Sequence, residues 1–155
     1  QGTRLLLAAL PGLPGGSRVL DYGCGSGVIG YVARARNRDI RLELLDVDAV
    51  ALEAARENVP GAEIRLCDGL PADRADSFHV VLSNPPFHRG KAEESMMLSA
   101  LIRGVPSILR DGGRFVMVTH RRMQVQDALQ RSFSAVSLLR EDAVFRVWAS
   151  QGPLT

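Results

Sequence analysis

The apolar residues of this chain fall into short runs separated by longer amphipathic stretches, and the two periods alternate. Leu5 to Leu10 predicts a helix, closed by the loop Pro11-Gly12-Leu13-Pro14-Gly15-Gly16. Arg18 to Tyr22 predicts a strand, followed by the tight turn Gly23-Cys24-Gly25-Ser26-Gly27. Val28 to Arg36 predicts a helix with Val28, Ile29, Val32 and Ala33 inward. Arg41 to Leu45 predicts a second strand ending at Asp46. Ala49 to Asn58 predicts a helix with Asp48 as its N-cap and Pro60-Gly61 as its stop. Glu63 to Cys67 predicts a third strand, and Phe78 to Ser83 a fourth.

The second half continues the pattern. Glu93 to Leu109 predicts a long helix with an inner stripe of Met97, Leu98, Leu101, Ile102, Val105 and Leu109, kinked or broken early by Pro106. Asp111-Gly112-Gly113 predicts a turn, Arg114 to Thr119 a fifth strand and Gln124 to Ser132 a helix. Ala135 to Leu139 and Ala143 to Trp148 predict a closing antiparallel hairpin, its joint at Arg140-Glu141-Asp142, with a frayed tail from Gln151 to Thr155. Strands alternating with helices imply an α/β fold: a mostly parallel sheet covered on both faces. The terminal hairpin is unusual for a plain dinucleotide-binding fold.

Composition narrows this picture. A length of 155 residues fits one domain. Nineteen Lys and Arg against seventeen Asp and Glu give +2, too small an excess to mark nucleic-acid affinity by itself. Two cysteines, Cys24 and Cys67, build no disulfide framework and point to a reducing, cytoplasmic setting. They share no metal-ligand spacing with His79, His88 and His120, so no metal is expected. No apolar run reaches the ~20 residues that span a bilayer, so no membrane partner is expected either. The start Gln1-Gly2-Thr3-Arg4 carries no signal sequence and no initiator Met, which leads us to expect a processed or excised piece of a longer protein.

The chemistry gathers at the predicted carboxyl ends of the strands. The run Asp21-Tyr22-Gly23-Cys24-Gly25-Ser26-Gly27 follows a strand and opens a helix, the context in which a glycine loop binds a ligand. Asp21 suits a cationic or amine-bearing ligand and a pyrophosphate poorly. The lysine-bearing phosphate loop of nucleoside triphosphatases is absent. Asp46 is placed to accept both hydroxyls of a ribose, Val47 to pack on an adenine face and Asp68, before Gly69, to accept from the adenine amine. For these three the plainer roles are a helix cap, a core valine and a turn residue.

Asn84-Pro85-Pro86-Phe87 ends the fourth strand. Its two prolines remove two donors and leave the Asn84 amide oxygen and the Pro85 carbonyl as acceptors beside a flat ring. A planar amine on Phe87 that donates to both oxygens would have its nitrogen lone pair aimed at an electrophile. The plainer reading is a rigid turn with a buried ring. His88, Arg89 and Lys91 are candidate phosphate contacts, with a solvated loop as the rival, and Arg121 and Arg122 would extend a basic rim. His79 reads as structural, His120 lacks a convincing partner, and Cys24 reads as a small buried filler with nothing to mark it as a nucleophile.

These residues resemble the class I methyltransferases that use S-adenosyl-L-methionine, over about Arg18 to Ala149. The resemblance implies a Rossmann-like seven-stranded mostly parallel sheet with an antiparallel last strand and helices on both faces. It implies a cofactor site of Thr3, Asp21, Gly23, Cys24, Gly25, Gly27, Asp46, Val47, Asp68, Gly69 and Asn84. The catalytic residues would be Asn84, Pro85 and Phe87, with Pro86, His88, Arg89, Lys91, Arg121 and Arg122 on the substrate side. The Asn-Pro-Pro-Phe loop matches the amino-methylating subset, which acts on adenine N6, guanine N2 or glutamine amides.

Within that subset the chain is most similar to small-subunit-type ribosomal RNA guanine-N2 methyltransferases. The shared features are Gly2-Thr3 before Leu5-Leu6-Leu7, Leu82 to His88, Leu101-Ile102-Arg103-Gly104 and Gly112-Gly113. The expected partner is therefore ribosomal RNA or a ribosomal subunit. Residues 1–155 would be the catalytic domain, with an additional N-terminal domain in the full-length protein. Adenine or glutamine amino methylation, and a non-catalytic cofactor- or RNA-binding module, stand as alternatives.

Overall fold

The computed structural model describes residues 1–86 and 91–154, the Lys91 side chain excepted. Seven strands form one sheet in the order β3-β2-β1-β4-β5-β7-β6. They are β1 (Arg18–Tyr22), β2 (Arg41–Asp46), β3 (Glu63–Leu66), β4 (Phe78–Ser83), β5 (Leu109–His120), β6 (Phe133–Glu141) and β7 (Phe145–Pro153). β1 pairs in parallel with β2 and β4, as β2 does with β3 and β4 with β5, whereas β7 runs antiparallel between β5 and β6. The chain winds outward from β1 to β3 and returns to β4 on the other side of β1. The winding direction reverses there and opens a crevice at the carboxyl ends of β1 and β4.

Among the described residues five α-helices cover the sheet: α1 (Gly2–Ala9), α2 (Val28–Arg36), α3 (Ala49–Asn58), α4 (Lys91–Gly104) and α5 (Gln126–Ser132). Because strand residues alternate between faces, neighbours such as Val19 and Leu20 enter different cores. Leu6, Ile29, Ala33, Leu52 and Ala55 bring α1, α2 and α3 onto one face. Leu98, Leu101, Ile102 and Leu129 bring α4 and α5 onto the other. Asp48 caps α3 as its position predicts, its carboxylate accepting from the Val50 and Ala51 amides.

Several boundaries differ from those the sequence predicts. α4 ends at Gly104, and Pro106 lies in a 3-10 turn, Val105–Ser107, so Leu109 belongs to β5. The glycines at 112 and 113 lie inside that strand, where the pairing with β4 shifts between Phe78 and Val80. A Cβ on Gly113 would sit 2.7 Å from the Arg110 carbonyl oxygen, so only glycine passes there. The tail does not fray: Gln151 pairs with Arg114 and Ala135, and Pro153 lies opposite Phe133. The hairpin turns after Asp142, whose carboxylate accepts from the Val144 and Phe145 amides. Val28 is 49% exposed rather than inward, because Ile29, Gly30 and Ala33 form the face α2 buries. Met97 is 40% exposed and lies off the inner stripe of α4.

One buried charge braces the β1–β2–β3 edge. The Glu43 carboxylate on β2 is almost fully buried and accepts from Arg65 Nε at 2.7 Å, Arg74 Nε at 3.2 Å and Arg18 at 3.3 Å. Burial without these partners would be costly, and removing the shared acid leaves the three guanidinium groups to Glu63 and Asp73 at the surface. Glu43→Ala is expected to lower the unfolding free energy by about 1.5–3 kcal/mol, read by urea denaturation. A loss below ~1 kcal/mol would show the fan to be ornamental.

Candidate functional site

The crevice is built on the Asp21 carboxyl at the end of β1. Asp21 is fully buried; its Oδ2 accepts from the Gly30 amide of α2 at 2.9 Å, and its Oδ1 has no partner among the described residues. Burial pushes its pKa up to about 7; the Gly30 bond lowers it and nearby Asp46 raises it further. The glycine loop arches over this group. Gly23 and Gly25 adopt φ values of 68° and 53°, and a Cβ on either would project into open space. The Gly23 and Cys24 amides donate to the Leu45 carbonyl, which straps the loop to the end of β2. Gly27 begins α2 as its N-cap.

Asp46 stands at the end of β2, with Oδ2 accepting from the Gly25 amide at 2.8 Å and Oδ1 from the Asp48 amide at 3.0 Å. Val47 beside it is 61% exposed. Asp68 and Gly69 line a cleft of about 260 Å³ together with Tyr22, Leu70, Pro85 and Met97. Burial raises the Tyr22 pKa, and the charges of Asp68, Cys67 and Asp46 raise it further. The region is thus negative, with apolar walls, and suits a cation-bearing ligand with a flat apolar part. Tyr22, Leu70 and Met97 escape sequence reading. Helical periodicity assigns Met97 to the core, whereas the side chain lines the cleft.

Asn84 and Pro85 follow β4 on the other side of the crevice. Pro85 is buried, Pro86 is exposed, and Ser83 Oγ donates to the Tyr22 carbonyl, which ties this strand end to the glycine loop. Asn84 Nδ2 donates to Thr3 Oγ1 of α1 at 2.8 Å. Thr3 therefore lies against the amide loop. Gly2 sits between the Asn84 amide and the Phe145 ring: a Cβ there would be 3.5 Å from Asn84 Oδ1 and 3.4 Å from Phe145. Phe87, His88 and Arg89 lie outside the described residues, as does the Lys91 side chain.

The rim is ionic. Arg122 pairs at 2.8 Å with Glu94, which is almost wholly buried on α4, and Arg121 donates to the Asp142 carbonyl. Both cations of the anticipated rim therefore have partners in this structure. His120, for which sequence offers no partner, meets Phe145 edge-on with ring centres 5.7 Å apart. His79 lies at the opposite end of β4, accepting from the Arg18 amide, as a structural role implies. Cys24 is buried, and burial together with Asp21 and Asp46 pushes its thiol well above the usual range, which leaves it inert as a nucleophile. Among the described residues no group of His, Cys, Asp and Glu could hold a metal, and no helix is long and apolar enough to cross a membrane.

Comparison with known proteins places this geometry. The family model described as Methyltransferase small domain matches residues 1–149. Ribosomal RNA small subunit methyltransferase C of Shewanella loihica is 33% identical, over 97% of this chain and 44% of that protein. Its counterpart from Shewanella amazonensis is 34% identical, over 97% and 45%. The chain thus spans less than half the length of these relatives. A solved Thermus thermophilus protein, described as a 16S rRNA N2 G1207 methyltransferase (RsmC) in complex with AdoMet and guanosine, superposes with a TM-score of 0.81 at 22% identity, over 97% of this chain and 43% of that one. TrmN from the same organism superposes with a TM-score of 0.75 at 23% identity, over 98% and 48%. The seven-stranded sheet with its single antiparallel strand is the Rossmann-like fold of S-adenosylmethionine-dependent methyltransferases. The chain belongs to the Methyltransferase small domain family and is related, at moderate identity, to the small-subunit ribosomal RNA methyltransferase C proteins.

Proposed function

We propose that this chain is a catalytic domain that binds S-adenosylmethionine in the crevice and transfers its methyl group to the exocyclic N2 amine of a guanine in ribosomal RNA. The observation that carries this reading is the pairing of two sites across β1 and β4. An acid-and-glycine cradle lies on one side, and the acceptor-rich Asn84-Pro85 turn on the other. The fit to the cofactor rests on the unpartnered, buried Asp21 Oδ1 and on the open space above Gly23 and Gly25. The names of the curated relatives and of the guanosine-bound Thermus protein support the RNA and guanine assignments.

When bound, the cofactor supplies an electrophilic methyl group on positively charged sulfur. Asp21 and the backbone of Gly23, Cys24, Gly25 and Gly27 hold its amino-acid end. Asp46 accepts from the ribose hydroxyls, exchanging its bond to the Gly25 amide for them, and Val47, Asp68 and Gly69 frame the adenine. Asn84 Oδ1 and the Pro85 carbonyl accept the two hydrogens of the substrate amine, and Phe87 stacks on a base drawn out of its helix. This grip aims the nitrogen lone pair at the methyl carbon. No strong base would be required: as the N–C bond formed, the methyl–sulfur bond would break with its electron pair left on sulfur as a neutral thioether, and the positively charged nitrogen would then release its proton to water. Pro86, His88, Arg89, Lys91, Arg121 and Arg122 are the proposed RNA contacts, the last two by exchanging their present partners for phosphates.

Three outcomes follow. Labelled methyl transfer to deproteinised ribosomal RNA and to assembled subunits should yield N2-methylguanosine on nucleoside analysis; label only in N6-methyladenosine or in protein would refute the guanine reading. Asn84→Ala should lower turnover by at least a hundredfold while the calorimetric Kd for S-adenosylmethionine stays within about threefold.

The third outcome concerns pH. A carboxyl raised from 3.8 to about 7 binds a proton in the folded state that the unfolded state has released, so it costs stability as pH climbs from about 4 through 7. A cationic ligand stabilises the ionised form, so cofactor affinity should rise with pH up to about 7 and then level. Asp21→Asn should flatten that profile, weaken binding and make the free protein more stable at pH 8. An unchanged profile would remove Asp21 from the site.

A further inference from the structure

We propose that the amino end of the sheet carries an anion site, built on His79, Arg110 and Arg114, that takes a phosphate group. It lies at the opposite end of β4 from the crevice and does not depend on how that crevice is read. The observation that carries it is a conflict of donors around one ring. The Arg18 backbone amide donates to His79 Nδ1 at 2.9 Å, so that nitrogen keeps its lone pair. In a neutral imidazole the proton then sits on Nε2. Arg110 Nη1 lies 3.0 Å from that Nε2, and a guanidinium can only donate. Two donors therefore face each other. Protonating the ring gives no relief, since it would put hydrogen on both nitrogens. Burial and the Arg110 charge hold the His79 pKa below its usual value, which keeps the ring neutral. What the pair lacks is an acceptor, and an anion that accepts from both Nε2–H and Arg110 supplies it.

The fold makes room for one. Phe78 pairs with Leu109 and Val80 with Arg114, so His79 stands opposite the whole stretch 110–113 of β5. Gly112 turns there with a φ of 72°, and a Cβ on it would meet nothing within 4 Å. His79, Gly112 and Arg114 line a cavity of about 290 Å³ together with Gly12, Gly16 and Ser17 of the loop before β1. Arg114 is held by a neutral group: the Gln151 amide, with its oxygen toward the guanidinium, accepts from Nε at 2.9 Å and from Nη2 at 3.0 Å. Among the described residues neither Arg110 nor Arg114 has an acid partner, whereas the Arg18 guanidinium is committed to Glu43 and Glu63. Asp39 reaches the loop at Gly15, where a Cβ would lie 2.9 Å from its Oδ2. Two guanidinium groups and an imidazole N–H around an open cavity suit an anion with several acceptor oxygens, either free phosphate or the phosphodiester of an RNA backbone.

The test reads the His79 ring nitrogens by 15N NMR in buffer without phosphate, assigned by their loss in His79→Gln. The free protein should show the Nε2–H tautomer. Inorganic phosphate should move the Nε2 resonance saturably, and chloride at equal ionic strength should not. Arg110→Gln and Arg114→Gln should each weaken the apparent affinity roughly tenfold, with Tm unchanged. Oligouridylate, a phosphodiester chain without guanine, separates the sources. The same shift at lower concentration than phosphate marks a backbone contact, and a shift with inorganic phosphate alone marks a site for free phosphate. An Nδ1–H ring in the free protein, no saturable shift with either probe, an equal shift with chloride, or a full response in Arg110→Gln would overturn the assignment.

Discussion

The buried Asp21 carboxyl is the constraint from which the site is organised. A carboxylate has no reason to sit at the centre of a hydrophobic sheet, where the loss of water raises its pKa to about 7. It is held by one bond to the Gly30 amide, and that bond requires α2 to come close to β1. Glycine at position 30 permits the approach, since a Cβ there would lie 2.5 Å from Leu44 and 3.0 Å from Leu42. The same turn that brings α2 down folds the glycine loop over the crevice. Asp21 costs stability at neutral pH, and its buried Oδ1, without a partner among the described residues, is the feature on which the proposed cofactor fit rests.

Around that group the fold closes the site from both ends of the sequence. α1 reaches the Asn84 turn through Thr3, and the β6–β7 hairpin brings Phe145 to the far side of Gly2. Glu94 joins α4 to the turn after β5 through Arg122. These ties run between elements distant in sequence, so the acceptor turn is held by the tertiary fold and not by its own prolines alone. That rigidity suits the proposed transfer of a methyl group to an amine, which would depend on distance and angle more than on acid or base strength.

Much of this was legible in the sequence because each signal was local. The period of apolar positions placed β1, α2, β2, α3 and β4, and the Asp48 cap was readable from its place before Ala49. The loops at Asp21, Asp46, Asp68 and Asn84 stood out because parallel strands put their carboxyl ends on one edge. What escaped was set by packing. Gly112-Gly113 resembled a turn, but pairing with β4 carries the strand through it; the tail resembled a free end, but β6 captures it. Met97 lies at the cleft through tertiary packing, and His120 meets Phe145 through the register of β5 and β7, for which one-dimensional periodicity has no term.

In the proposed mode of binding, one crevice at the reversal between β1 and β4 holds the cofactor next to the acceptor turn. A crystal structure of the protein with S-adenosylhomocysteine is the decisive measurement. The ribose is expected on the Asp46 carboxylate, the amino-acid end over the glycine loop beside Asp21, and the sulfur facing Asn84. Density for the ligand anywhere else on the molecule, with the Asp46 bond to the Gly25 amide left intact, would contradict it.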